Sequence, residues 1–134
     1  MWSKKPKAPK THQTPFGEFI QSNGGWEGYI EMPNEDIRIT TDDVDGEPNP
    51  RLLHIIPLIQ GKLSHFEAMA RDAVEPLSPQ SEFEPRYEFD SVDISNVHPG
   101  TDFSLCFDCS VEGWSGGIYV EFKDEKIVCW WGMD

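Results

Sequence analysis

The sequence predicts an α+β domain: a mostly antiparallel β-sheet covered on one face by a central kinked helix. Three observations lead there. Short runs of alternating apolar and polar residues occupy the first and last thirds of the chain. A long apolar pattern of helical spacing fills the middle. Turn residues separate the runs, and strands that are not interleaved with helices point to an α+β rather than a doubly wound architecture.

The first strand candidate is Phe16-Gly17-Glu18-Phe19-Ile20. Asn23-Gly24-Gly25 follows as a hairpin turn, because glycine accepts positive φ without strain. From Trp26 to Met32 the residues Trp26, Gly28, Ile30 and Met32 fall on one face and Glu27, Tyr29 and Glu31 on the other, as in a half-buried strand. Pro33-Asn34-Glu35 turns the chain into a third strand, Asp36 to Thr41, with Ile37 and Ile39 on one side. Asp42 to Pro50 reads as an acidic loop.

Leu52, Ile56, Ile59, Leu63, Phe66, Ala70 and Ala73 then recur at helical spacing and define one apolar face. Asn49 before Pro50 suits an N-cap followed by proline in the first turn. Pro57 lies inside the pattern and Gly61 loosens the same place, so a kink or a split is expected. Pro76 and Pro79 end the helix, and Ser78 to Pro85 is a polar linker. The last third is β again: Tyr87 to Ile94, a turn at His98-Pro99-Gly100-Thr101, and a strand through Phe103, Leu105 and Phe107. A turn over Gly113 to Gly117 leads to a strand through Ile118, Val120 and Phe122. Lys123 to Lys126 then closes a hairpin onto Ile127 to Trp131.

The length of 134 residues fits one domain, with Met1 to Pro15 as a flexible basic arm and residues 16–134 as the folded body. The chain has 11 Lys and Arg against 24 Asp and Glu, a formal net charge of −13. Lys4, Lys5, Lys7 and Lys10 lie in the arm and no acid precedes Glu18, which leaves 7 basic residues against 24 acidic ones in the remainder, a net of −17. Such a body disfavours nucleic acid, whose binding depends on cations that neutralise phosphates. It also disfavours anionic membranes. No apolar segment resembles a signal peptide or a membrane span, so cytoplasmic residence is expected.

No cofactor or metal is expected. Cys106 and Cys109 have redox or metal spacing, but they fall on a strand and so on opposite faces. Zinc would need two further ligands, and Cys129 and His98 are the only additions in view. Free cysteine in strands is normally a small apolar filler, and three cysteines without a signal peptide fit a reducing compartment. A calcium-loop alignment through Asp43, Asp45 and Gly46 puts Thr41 and Leu52 at the anchor positions, where carboxylates are required. His12, His54, His65 and His98 are scattered without a nucleophile at a telling spacing.

Binding is the better expectation. The acidic cluster Asp42, Asp43, Asp45 and Glu47 is a candidate contact for a basic protein, since charge complementarity speeds association. Trp114, Tyr119, Trp130 and Trp131 are candidate aromatic contacts. Adjacent Trp130 and Trp131 must face opposite sides of a strand. A groove lined by Trp114, Tyr119 and Trp131 is the alternative, as a small-ligand or regulatory site. An uncovered terminal strand also makes a homodimer an option.

Phe16-Gly17-Glu18-Phe19 followed by Gly25-Trp26-Glu27-Gly28-Tyr29-Ile30 resembles the opening of a group of small bacterial domains of unknown function. These share a lysine-rich head, an F-G-x-F and W-x-G-x-I meander, an acidic loop like Asp45-Gly46-Glu47-Pro48, a central helix and a C-terminal β-half. Some similar small acidic domains look like immunity proteins of bacterial toxin systems. The resemblance implies an immunity-like domain and attaches no catalytic residues to the pattern, and with the charge of the body it suggests a protein that neutralises a basic toxin.

Overall fold

The computed structural model describes residues 8–74, 86–95, 100–111 and 114–133. The side chains of Arg86, Val111, Trp114 and Met133 lie outside that description, as do the expected linker over Ser78 to Pro85 and the His98-Pro99 half of the expected turn. One helix packs against a mostly antiparallel sheet of nine strands. The strands are β1 (Thr11–Thr14), β2 (Gly17–Ser22), β3 (Gly25–Ile30), β4 (Ile37–Val44) and β5 (Glu47–Pro48), then β6 (Arg86–Ile94), β7 (Phe103–Val111), β8 (Trp114–Lys123) and β9 (Lys126–Met133). The helix α1 (Leu52–Val74) runs between β5 and β6.

The spatial order is β1-β2-β3-β4-β6-β7-β8-β9, with β5 folded back on β4. Every neighbouring pair is antiparallel except β4 and β6. The tight hairpins have two central residues of positive φ: Asn23 and Gly24, Asp45 and Gly46, Asp124 and Glu125. That backbone matches the twist of the strands it joins. Asp124 and Glu125 adopt it without a glycine, and the Asp102 carboxylate holds the turn by accepting from the Asp124 N–H at 2.9 Å.

Four expectations change. The basic arm is shorter than expected, because Thr11–Thr14 pairs with Gly17 to Ile20 along β2. The expected acidic loop is a hairpin: Asp42, Asp43 and Val44 extend β4, and Glu47 and Pro48 return along it. Ser115, Gly116 and Gly117 are strand, paired with Ser110, Cys109 and Asp108. The helix is neither split nor interrupted at Pro57. Pro57 and Leu53 lie on its exposed side, so the Leu53 carbonyl that loses its N–H partner faces solvent. Asn49 caps the helix as expected, its Oδ1 accepting from the Arg51 N–H at 3.0 Å.

The core lies between α1 and one face of the sheet. Leu52, Ile56, Ile59, Phe66, Ala70 and Val74 come from the helix. They meet Ile37 and Ile39 of β4, Val92 and Ile94 of β6, and the inward residues of β7 and β8. The Phe66 ring stands edge-on to Phe103 at 5.2 Å and to Phe122 at 5.3 Å, while those two rings stack at 5.0 Å. Under the other half of the sheet, the Phe19 ring lies across Gly28, where an added Cβ would meet it at 2.5 Å. The spacing of F-G-x-F and W-x-G-x-I therefore records a packing requirement: the glycine leaves room for the aromatic ring of the next strand.

The two halves of the core are testable separately. Phe66→Ala is expected to destabilise the fold by about 3–5 kcal/mol through loss of a fully buried ring. Gly28→Ala should cost about 1–3 kcal/mol through overpacking against Phe19. Urea denaturation measures both, and an unchanged midpoint in Gly28→Ala would refute the packing account of the motif.

The Asp102 carboxylate also predicts a pH dependence. Burial alone would raise its pKa. The Asp124 N–H, the bond and charge of Lys123 at 3.1 Å, and the charge of Arg51 outweigh burial and hold it below the usual 3.8. The folded form therefore binds this proton more weakly than the unfolded chain. The stabilisation is complete above the ordinary carboxylate pKa and is lost as pH falls through the lowered one. Asp102→Asn should cost about 1–2 kcal/mol at neutral pH. The gap to wild type should close in acid, which stability curves recorded from neutral pH downward will measure.

Candidate functional site

The four acids expected to form one cluster do different jobs. Asp42 accepts from the Asn49 Nδ2 at 2.8 Å and so braces the residue that caps α1. Asp43 accepts from the Trp26 Nε1 at 2.8 Å and from the Gly46 N–H at 3.2 Å. Asp45 and Glu47 are exposed at the hairpin. The first pair is thus engaged in holding the hairpin, and the second pair is free to meet a partner.

A larger acidic surface lies on the sheet face that α1 leaves uncovered. Strand alternation puts Ile39, Val92, Leu105 and Val120 on the helix side, so their strand neighbours point the other way. Reading the register across β3, β4, β6, β7, β8 and β9 gives two rows on that outer face. One is Tyr29, Arg38, Ser91, Cys106, Tyr119 and Trp131. The other is Glu27, Thr40, Asp93, Ser104, Glu121 and Cys129. A further step along β6 and β7 sets Glu88 directly opposite Asp108, both exposed. Glu18 of β2 extends the same face.

Among the described side chains of these two rows the one cation is Arg38, and the side chain of Arg86, two positions before Glu88, lies outside the description. Arg38 lies 2.8 Å from Glu27 and 3.3 Å from Asp90, a bulged residue of β6. Asp93 accepts from the Thr40 hydroxyl at 2.6 Å and from Ser95 at 2.9 Å. Glu88 and Asp108 are in no ion pair among the described side chains. Like charges directly opposite one another on a sheet repel. These acids are scattered through the sequence, and only the strand register gathers them. The signal in the sequence was the parity of Glu88, Asp93, Asp108 and Glu121 relative to the inward apolar residues.

Two of the three residues expected to line an aromatic groove meet directly. Tyr119 and Trp131 stack on each other with ring centroids 4.3 Å apart and planes 17° from parallel. The Tyr119 ring folds back over Gly117, where an added Cβ would come within 3.2 Å of it. Gly117 therefore seats a ring rather than turning the chain. The Trp114 side chain is outside the described residues. Trp130 lies on the opposite face from Trp131, pairs with Val120, and is 38% exposed, more than Trp131.

The cysteines and histidines are not gathered into a centre. Cys106 and Cys109 are both buried, on opposite faces of β7. Burial, with the charges of Asp93 and Asp90, outweighs Ser91 and Arg38 and pushes the Cys106 thiol up to about 12. Burial also raises Cys109. Cys129 is exposed and its thiol donates to the Glu121 carboxylate, a bond that, with burial and the Glu121 charge, raises its pKa. His12 sits edge-on to Trp26 at 6.0 Å, His54 and His65 are exposed on α1, and His98 lies outside the described residues. No group of three or more His, Cys, Asp or Glu suited to a metal ion occurs among the described residues. No described helix is long and apolar enough to cross a membrane. Comparison with protein-family models, curated proteins and solved structures finds no match to this chain.

The thiol arrangement predicts its own reactivity. With a thiol reagent at pH 8, native protein should show one slow-reacting cysteine, Cys129, and all three only in denaturant. Glu121→Gln removes the carboxylate that retains the proton, so Cys129 should react faster. An unchanged rate would show that Glu121 does not govern the thiol.

Proposed function

We propose that this chain is a non-catalytic, cytoplasmic protein-binding domain whose helix-free sheet face docks a basic partner, in the manner of an immunity protein that neutralises a toxin. The observation that carries the reading is the opposed pair Glu88 and Asp108 within a face that gathers further carboxylates around the Arg38 guanidinium. Like charges held face to face cost the isolated chain stability. A cationic surface laid across them would relieve that cost and be steered to the site by the field of the whole body, which carries −17 beyond the arm. Asp45 and Glu47 are exposed at the β4–β5 hairpin and add two further carboxylates to the surface. The three free cysteines suit a reducing compartment. The resemblance expected for the opening meander, to small bacterial domains of unknown function of which some are immunity-like, is in keeping with this reading.

The alternative, a small-ligand or regulatory domain, has a different locus. A cleft of about 470 Å³ opens between the β3–β4 connection and the middle of α1, where Asn34, Glu35, Lys62 and His65 surround Met32 and Phe89. It lies away from the aromatic stack first expected to line a groove.

Two measurements test the main reading. In the isolated chain, Glu88→Gln and Asp108→Asn should each stabilise the fold by about 0.2–1 kcal/mol. In a pull-down from the native host at low salt, wild type should retain a basic protein that the Glu88→Lys/Asp108→Lys double variant loses. The association rate of the recovered complex should fall by tenfold or more in that variant. Retention of the same proteins by wild type and double variant would sink the proposal.

A further inference from the structure

β9 ends the sheet, since β8 lies on one side of it and no described strand on the other. An edge strand offers its outward N–H and C=O groups to any chain that arrives, and soluble proteins commonly blunt such an edge with charge, proline or shortness. β1, at the opposite boundary, is only four residues long. β9 has eight residues, and from Ile127 to Met133 it carries neither a charged residue nor a proline. Val128 is an unpaired bulge residue opposite the Glu121–Phe122 step of β8 and is 53% exposed. Trp130 adds a second exposed apolar side chain two positions on.

Charge decides the occupant. Each chain carries −13, and its helix-free face presents carboxylates, so two copies meeting through that face would repel. β9 itself carries no carboxylate, and its one charged residue, Lys126, lies at one end of the strand. A basic segment would find no counter-charge on β9, whereas a second copy offers an equally uncharged apolar strand. We infer that β9 pairs antiparallel with β9 of a second copy, so that a two-fold axis joins two sheets into one. The arrangement is self-complementary and closes at two subunits. It brings Cys129, the exposed member of the three cysteines, to the same face of the joined sheet on both sides of the seam.

This inference does not rest on a basic partner, and salt separates the two. Screening relieves repulsion between like-charged copies, so the dimer should tighten as salt rises, while a complex held by opposite charges should weaken. Sedimentation equilibrium of the full chain at low and high salt should give a mass approaching twice that of the monomer, more completely at high salt. Val128→Lys and Trp130→Lys should each weaken self-association by about tenfold or more, because like charges then face each other across the axis. Val128 is the more exposed, and an unchanged melting profile at low protein concentration will show that its lysine variant still folds. A bis-maleimide should cross-link wild type through Cys129 and fail with Cys129→Ser. A chain that is monomeric at both salt concentrations overturns the inference. So does a dimer that both lysine variants leave intact, or one that no Cys129 reagent links.

Discussion

The parallel pairing of β4 with β6 is the constraint on which the architecture depends. Arg38 to Thr41 lie beside Ser91 to Ile94 and run in the same direction. A tight turn cannot join parallel neighbours, so the chain must leave the sheet and return. It does so through α1, which is thereby committed to one face. The strands before β4 form one antiparallel meander and those after β6 form another, and this one seam makes them a single sheet. Phe66, projecting from the middle of the crossover, then packs edge-on against the stacked rings of the second meander.

Covering one face leaves the other to solvent, and the two faces divide the chemistry of the chain. The apolar residues that alternate inward leave Glu27, Asp93, Asp108 and Glu121 pointing outward. The outer face is not loosely solvated everywhere. Ser91, Ser104, Cys106 and Glu121 are buried on it beneath their longer neighbours, and the Tyr119–Trp131 stack lies beside them. A packed polar centre with exposed acids at Glu18, Glu88 and Asp108 is a firmer platform for a partner than a flexible acidic loop would be. Its groups are held by strands and by one another, so less freedom is lost on docking.

Much of this was legible before any coordinates. Alternation in Trp26–Ile30 and in Phe103–Phe107 marked strands, and the spacing from Leu52 to Ala70 marked the helix and its buried face. Other features were hidden for identifiable reasons. Thr11–Thr14 carries no apolar alternation, because an edge strand is held by backbone pairing with β2. Gly116 and Gly117 read as a turn because glycine signals backbone freedom, whereas Gly117 supplies space for a ring. The bulges at Asp90 and Val128 put Phe89 and Val92, and likewise Ile127 and Trp130, on the same face although three positions apart. The acidic face escaped notice because it exists only in the register between strands, while Asp42 and Asp43 drew attention by being adjacent and prove to be structural.

The seam between β4 and β6 also sets a timetable. Each meander is built from hairpins whose partners are close along the chain, so their closure costs little entropy. The seam joins residues such as Thr40 and Asp93, which are 53 positions apart, and it cannot close until the crossover has been gathered in. Long-range pairing of this kind slows folding. The same seam is the natural line along which the folded chain opens into two units, each keeping its own hairpins while the helix lifts away. A domain that reads as one body in space is in this sense two in time.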